Sequence, residues 1–126
     1  MSKLDLPADA ADLSLPSLAH ILKATSHVTG LSKLEITAPR RQLAKLNARV
    51  RARMFATYVA RVTSKRSWAM IARTLNRDHA TLIHAHEMCC ALIRRNDAEV
   101  ITATTEIARL AWQLHSEQMD SVRASA

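Results

Sequence analysis

Apolar side chains recur at helical spacing from residue 18 onwards, and the first half of the chain predicts three helical segments. The first helix, over about 18–28, follows Ser17 as its N-cap and ends before Gly30, and its shared face holds Leu18, Ile21, Leu22 and Val28. Residues 31–36 predict a short turn or helix. A long helix is predicted over about 41–63, either continuous or broken near Asn47, with arginines on its other sides and an apolar stripe of Met54, Tyr58, Val59 and Val62.

Two helices separated by a tight turn follow. A short helix over 68–75 begins after Ser67 and ends at Asn76, which suits a left-handed helix end, and its one-sided apolar set is Trp68, Ile71, Ala72 and Leu75. Asp78 can cap the next helix, over about 79–95. The apolar face of that helix is predicted to bury Leu82, Ala85, His86, Cys89, Leu92 and Ile93.

A last amphipathic helix over about 98–118 completes the pattern, with an inward face of Val100, Ile101, Ile107, Leu110, Ala111 and Leu114. The chain holds one glycine and three prolines, and aromatic residues make up only 3% of it. Because β-rich folds need many turn residues and aromatics, we predict an all-α, compact helical domain of five to six helices that contains a helix-turn-helix. Three parts are predicted: a flexible acidic N-terminal arm over 1–16, the helical domain over 17–118, and a flexible C-terminal tail over 119–126.

Positive charge is concentrated in one stretch of the chain. The net charge is +7, and residues 36–77 contain no Asp or Glu but eleven basic residues: Arg40, Arg41, Lys45, Arg49, Arg51, Arg53, Arg61, Lys65, Arg66, Arg73 and Arg77. A solvated helical face usually mixes both signs, so this stretch predicts a polyanionic partner, and double-stranded DNA is the favoured one. A membrane is not predicted, since no apolar run approaches the roughly 18 residues that span a bilayer. The acidic arm either folds back on this basic face or is a plain tail.

Several chemistries are disfavoured. A phosphate-binding loop or a dinucleotide fingerprint needs several glycines, so we predict no bound nucleotide and no cofactor. Cys89 and Cys90 are neighbours in a helix, where a disulfide between them would be strained. His86 and Cys90 share a helix face, but a metal site needs three or four converging ligands, and none is predicted. No catalytic arrangement stands out, so we predict that the protein is not an enzyme. Reduced thiols and the lack of a signal segment favour a cytoplasmic, nucleoid-associated location.

The short helix, turn and longer helix at residues 68–95 follow the pattern of a helix-turn-helix. The second helix of this motif reads bases with its N-terminal residues, which here are Asp78, His79, Ala80 and Thr81. Asp78 is suited equally to capping the helix and to accepting a hydrogen bond from a cytosine amino group. His79 can donate to guanine or to a phosphate.

Residues 71–85, which read IARTLNRDHATLIHA, resemble the signature I-G-x-x-F-G-G-R-D-H-T-T-V-x-H-A of the C-terminal DNA-binding domain (domain IV) of the bacterial replication initiator DnaA. The resemblance extends upstream to the helix near residue 18 and loosely to the last helix. It implies that Asp78, His79 and Thr81 contact base edges in the major groove, that Arg61 contacts a phosphate, and that Lys45 lies near the family's minor-groove arginine. Arg53 matches the arginine just inside the family's long helix. The full predicted DNA-binding set is Lys45, Arg49, Arg51, Arg53, Arg61, Lys65, Arg66, Arg77, Asp78, His79, Ala80 and Thr81.

The chain departs from that pattern in three respects. Ala80 replaces the first threonine of the Thr-Thr pair, which removes a hydroxyl and leaves a methyl to meet a thymine methyl. Asn76 stands where the family has two glycines. We also expect the chain to act without the family's ATPase module. An altered or relaxed sequence preference is therefore expected, with binding retained.

Two classes of function follow. The first is a sequence-preferring double-stranded DNA-binding protein that regulates replication initiation or transcription by occupying DnaA-box-like sites. The alternative is a protein-interaction module that contacts replication-initiation proteins, and its support is the last helix with Trp112 together with the change at Ala80. Single-stranded nucleic acid is disfavoured, because one Tyr, one Phe and two Trp give few stacking platforms.

Overall fold

The computed structural model describes residues 12–39 and 45–125. Across those two ranges the chain forms six helices and no strand: α1 Leu18–Thr29, α2 Lys33–Thr37, α3 Leu46–Val62, α4 Trp68–Leu75, α5 His79–Arg94 and α6 Ala98–Ser125. The prediction of an all-α domain of five to six helices is confirmed. Residues 1–11 of the predicted arm and residues 40–44 at the predicted start of the long helix lie outside the described residues.

Local capping chemistry determines where the helices begin and end. The Ser17 hydroxyl accepts a hydrogen bond from the His20 amide at 3.1 Å, and Nδ1 of His20 accepts one from the Ser17 amide at 3.2 Å. The Ser67 hydroxyl accepts from the Met70 amide at 3.1 Å at the start of α4. Gly30 ends α1 with φ 78°, a left-handed conformation that a residue without a Cβ adopts at least cost.

The central element is α3, which contacts each of the other five helices. Nine of its residues are buried, on all sides of the helix: Arg49, Ala52, Arg53, Met54, Phe55, Ala56, Thr57, Val59 and Ala60. The sequence prediction of one apolar stripe with arginines outside it is wrong, since Arg49 and Arg53 are buried and Val62 is 51% exposed. A helix enclosed by five others has no single inward face, and periodicity alone does not reveal this.

The hydrophobic core contains side chains of α3 and of each of the other five helices. Its fully enclosed apolar side chains include Ile21, Ile36, Ile71, Leu82, Val100 and Ile107. The inward faces predicted for α4, α5 and α6 are observed in part. Half of the predicted positions are buried, namely Ile71, Ala72, Leu75, Leu82, Cys89, Val100, Ile107 and Ala111, and the others are half-buried, namely Trp68, Ala85, His86, Leu92, Ile93, Ile101, Leu110 and Leu114. The core therefore holds the helix-turn-helix of α4 and α5 against α3.

Two boundaries differ from the sequence prediction. Pro16, assigned to the arm, is buried, and its carbonyl accepts a hydrogen bond from Arg66 Nη2 at 2.8 Å. The last helix was expected to end near residue 118, but α6 continues to Ser125. Residues 119–125 contain no glycine or proline that would stop a helix, and the Asp120 and Arg123 side chains form an ion pair at 3.2 Å. Among the residues that the structure describes, no helix is both long and apolar enough to cross a membrane.

Candidate nucleic-acid interface

The turn between α4 and α5 consists of Asn76, Arg77 and Asp78. Asn76 has φ 57° and ψ 49°, and its amide donates to the Ala72 carbonyl, which closes the end of α4. The Arg77 amide donates to the same carbonyl at 3.1 Å. Asparagine is one of the few side-chain residues that tolerates this left-handed conformation, so the turn forms with no glycine.

The first turn of α5 carries the predicted base-reading residues. Asp78 caps the helix, since its Oδ1 accepts from the Thr81 amide at 2.8 Å. Hydrogen bonds from the Thr81 hydroxyl and amide hold the pKa of the Asp78 carboxyl below its ordinary value, so the cap is anionic at neutral pH. Asp78, His79, Ala80 and Thr81 are all exposed, whereas Leu82 is buried and anchors the turn to the core. Four consecutive exposed residues are thus presented on a rigid base.

An open cleft of about 760 Å³ lies beside this turn, lined by Ala69, Ala72, Arg73, Asn76, Arg77, Asp78 and His79. Arg77 lies at its edge and connects two parts of the molecule. Its Nη1 donates to the Asn76 carbonyl at 2.7 Å, and its Nη2 donates to the Ala38 carbonyl at 2.6 Å. Arg77 therefore ties the turn to the end of α2.

A ring cluster locks α4 and α5 to α3. The Arg61 guanidinium lies 4.5 Å from the Trp68 ring centroid, and its Nη1 donates to the Arg66 carbonyl at 2.8 Å. The His86 ring stacks on Tyr58 at 5.6 Å and meets Trp68 edge-on at 5.7 Å. Burial, with the nearby Arg61 charge, lowers the pKa of His86, so this imidazole packs in its neutral form.

His86 of this cluster lies next to Cys90, and from the sequence these two residues were considered as metal ligands. Cys90 Sγ lies 3.6 Å from His86 Nε2, but the described part of the chain contains no group of three His, Cys, Asp or Glu residues that could hold a metal ion. Cys89 is fully enclosed, and burial raises the pKa of its thiol to about 12. Cys89 and Cys90 therefore contribute to the packing of α5.

The predicted basic contacts do not all face one surface. Lys45 and Lys65 are exposed, with φ 56° and 52° respectively, and Lys45 forms an ion pair with Glu35 at 3.0 Å. Arg51 pairs with Glu99 on the first turn of α6 at 2.7 Å, so its guanidinium is directed toward α6. Arg61 is half-buried in the ring cluster.

Three of the predicted DNA-binding arginines lie inside the protein. Arg49 is 3% exposed, Arg53 is 7% exposed and Arg66 is 3% exposed. Arg53 Nη1 donates to the Ile36 carbonyl at 2.9 Å, which joins α3 to α2, and Arg66 holds Pro16. Burial lowers the pKa of the Arg66 guanidinium from its ordinary value. An enclosed guanidinium does not reach a phosphate from this position, so we propose that these three residues stabilise the fold and do not contact DNA.

Sequence reasoning omitted three exposed residues of the helix-turn-helix from its candidate set. Arg73 lines the cleft, and His84 and Glu87 lie on the solvent side of α5. The helical periodicity of the sequence is enough to predict that positions 84 and 87 are exposed. Leu82 and Cys89 were assigned to the buried face, and positions 84 and 87 fall on the opposite side of a helix with 3.6 residues per turn.

Residues 18–88 match the family model described as the bacterial DnaA protein helix-turn-helix. The match covers more than half of the 126-residue chain and includes α1 to α4 and most of α5, whereas α6 lies beyond it. The searches of curated proteins and of solved structures produced no match. The matched region contains the exposed first turn of α5, and DNA binding is the function that this match indicates.

Proposed function

Since the chain belongs to the bacterial DnaA helix-turn-helix family, we propose that it binds double-stranded DNA with a sequence preference and regulates replication initiation or transcription by occupying DnaA-box-like sites. The observation that carries this proposal is the first turn of α5. Its exposed residues from Asp78 to Thr81 stand on the buried Leu82, next to an open cleft edged by Arg73 and Arg77. A recognition helix enters the major groove with its N-terminal residues in this way.

Asp78, His79 and Ala80 each have a distinct DNA contact in this proposal. His79 donates to a guanine or to a phosphate, and the Ala80 methyl meets a thymine methyl. The Asp78 Oδ1 accepts from the Thr81 amide, and because a carboxylate has about four lone-pair sites, the same group can also accept from a base amino group. The helix cap and the base contact are therefore compatible in one side chain.

The phosphate contacts come from the exposed cations. Lys65 and Arg73 are exposed, and Lys45 is exposed beside its ion-pair partner Glu35. The half-buried Arg77 lies beside Arg73 at the turn and adds its positive charge. Such contacts fix the orientation of the protein on the duplex and make the affinity fall with salt, without carrying sequence information. Base readout is left to α5.

The test is fluorescence anisotropy at low ionic strength, with a duplex that carries an initiator-type box and a scrambled duplex of the same composition. We expect tighter binding to the box. His79→Ala is expected to reduce that preference by roughly five- to tenfold and to leave the affinity for the scrambled duplex unchanged. His27→Ala, an exposed histidine of α1, serves as the matched control. Equal affinities for the two duplexes would refute sequence preference, and no binding to either would refute the function itself.

A second candidate function rests on α6, which lies beyond the family match and leaves Trp112 42% exposed. Exposed tryptophan is a frequent anchor of protein interfaces, so this helix can dock on a replication-initiation protein. Purified replication initiator from the same organism, treated with nuclease, is the probe. Trp112→Ala should abolish the interaction and leave DNA binding intact, and the absence of any interaction with the wild-type chain would remove this candidate.

A further inference from the structure

The solvent side of α5 forms a ridge that extends beyond its first turn. Ala80, His84 and Glu87 are exposed and follow one another at helical spacing, while Leu82 and Cys89 are buried on the opposite side. The three residues therefore share one face of the helix. At a rise of about 1.5 Å per residue, the ridge from position 80 to position 87 is roughly 10 Å long. This length equals about three base-pair steps of 3.4 Å.

The charge on this ridge is unusual for a helix that approaches DNA. The helix α5 contains no lysine or arginine before Arg94 at its last position, and Glu87 is its single acidic residue. The described residues provide no salt-bridge partner for Glu87, whereas exposed carboxylates elsewhere, such as Glu99 and Asp120, pair with arginines. A carboxylate on this ridge faces any groove that α5 enters.

Electrostatics restrict what such a carboxylate can contact. The phosphates of DNA repel it, and the acceptor atoms of guanine and thymine give it no hydrogen bond. Favourable partners in the major groove are base amino groups, and the amino group of cytosine is the donor that a glutamate accepts from. The alanine and the imidazole on the same ridge fit other edges, a thymine methyl and a guanine acceptor respectively.

We propose that Ala80, His84 and Glu87 form a base-reading ridge along α5, in which the Glu87 carboxylate selects a cytosine about two to three base pairs from the base met by Ala80. This proposal rests on the proposed function, because it requires α5 to enter the major groove. It adds to the first-turn contacts a specificity determinant one to two turns further along the helix. The cytosine lies under the middle of α5, and His84 reads the base pair between the two ends of the ridge.

The experiment selects bound duplexes from a randomised library with the full chain, sequences them, and repeats the selection with variants. The wild-type chain should enrich a site with one position at which cytosine dominates. Because glutamine pairs with the N6 and N7 atoms of adenine, Glu87→Gln should replace cytosine by adenine at that position, and its affinity for the cytosine duplex should fall roughly tenfold. Ala80→Thr should alter a different position, two to three base pairs away. Glu117→Gln, an exposed glutamate of α6, is the matched control and should select the wild-type site.

The outcomes separate the two proposals. If the wild-type chain enriches a site and Glu87→Gln selects the same site with equal affinity, the ridge is refuted and the DNA-binding function stands. If Glu87→Gln binds every duplex more tightly by the same factor, the carboxylate acts only through charge and the selection of cytosine is refuted. If the wild-type chain enriches nothing, the proposed function fails together with the ridge. Circular dichroism of the variants confirms that they are folded.

Discussion

Single residues of the basic stretch have two separate roles, and their surroundings decide which. The Arg53 guanidinium donates to the Ile36 carbonyl from inside the protein, and Arg66 does the same for Pro16. Lys65 lies at the surface between α3 and α4. The internal cations donate to buried backbone carbonyls, and the exposed one is available to a polyanion.

We expect Arg53→Ala to lower the free energy of unfolding by about 2–4 kcal/mol, because a buried hydrogen bond is lost and a cavity is left. Urea denaturation followed by circular dichroism measures it. Lys65→Asn keeps a residue that tolerates positive φ, so its stability should stay within about 0.5 kcal/mol of the wild type while its affinity for DNA falls. A stable Arg53→Ala protein with weakened DNA binding would return Arg53 to the contact set.

The sequence predicts correctly those features that depend only on residues close together along the chain. Ser17, Ser67 and Asp78 were predicted as helix caps, and each accepts the expected amide hydrogen bond, since a cap depends only on the next three residues. The burial of Arg53 and Arg66 was not predictable in the same way. It depends on α2 and on Pro16, which are 17 and 50 residues away along the chain.

At the scale of elements, the helix-turn-helix is the best predicted part of the molecule. The bounds of α4 were predicted to the residue, because Ser67 and Asn76 mark both of its ends. The start of α3 was not, since Lys45 precedes it in a left-handed conformation with no side-chain cap. The end of α6 was also not predicted to the residue, because no glycine or proline marks it.

The left-handed residue of the turn provides a test at this scale. Asn76→Gly should leave the thermal unfolding temperature nearly unchanged, whereas Asn76→Val should lower stability by about 1–2 kcal/mol, because a β-branched side chain is strained at φ 57°. Differential scanning calorimetry measures both variants. Thr105→Val, at an exposed helical position of α6, controls for the added apolar surface. Equal stability of the valine and glycine variants would mean that the turn relaxes to another conformation.

The whole molecule is a helix-turn-helix supported from behind by α1, α3 and α6. The most extensive contact between elements joins α1 and α6, and α6 buries Val100, Thr104, Ile107 and Ala111. The sequence predicted this helix and most of its inward face. It did not predict that α3 would be enclosed on all sides, because the arrangement of helices around a centre is not written in any one segment.

Truncation distinguishes the supporting part of α6 from its end. A chain that stops after Gln118 should keep the wild-type fold and stability to within about 0.5 kcal/mol, because residues 119–125 are exposed apart from the half-buried Met119. A chain that stops after Asn96 loses the buried Val100 and Ile107, at roughly 1.5–3 kcal/mol each, and should unfold. Circular dichroism with thermal melting measures both. Unfolding of the longer truncation would show that the end of α6 is part of the core.

The bond from Arg77 to Ala38 fixes the distance between two regions that are remote in sequence. One is the turn that aims α5, and the other is α2, whose Glu35 forms an ion pair with the exposed Lys45. A DNA contact made by either region is thus held at a constant offset from a contact made by the other, and little conformational entropy is lost in aligning them. We therefore expect that inserting one base pair between the DNA positions contacted by these two regions would weaken binding. The protein would then recognise the distance between the two positions as well as their sequence.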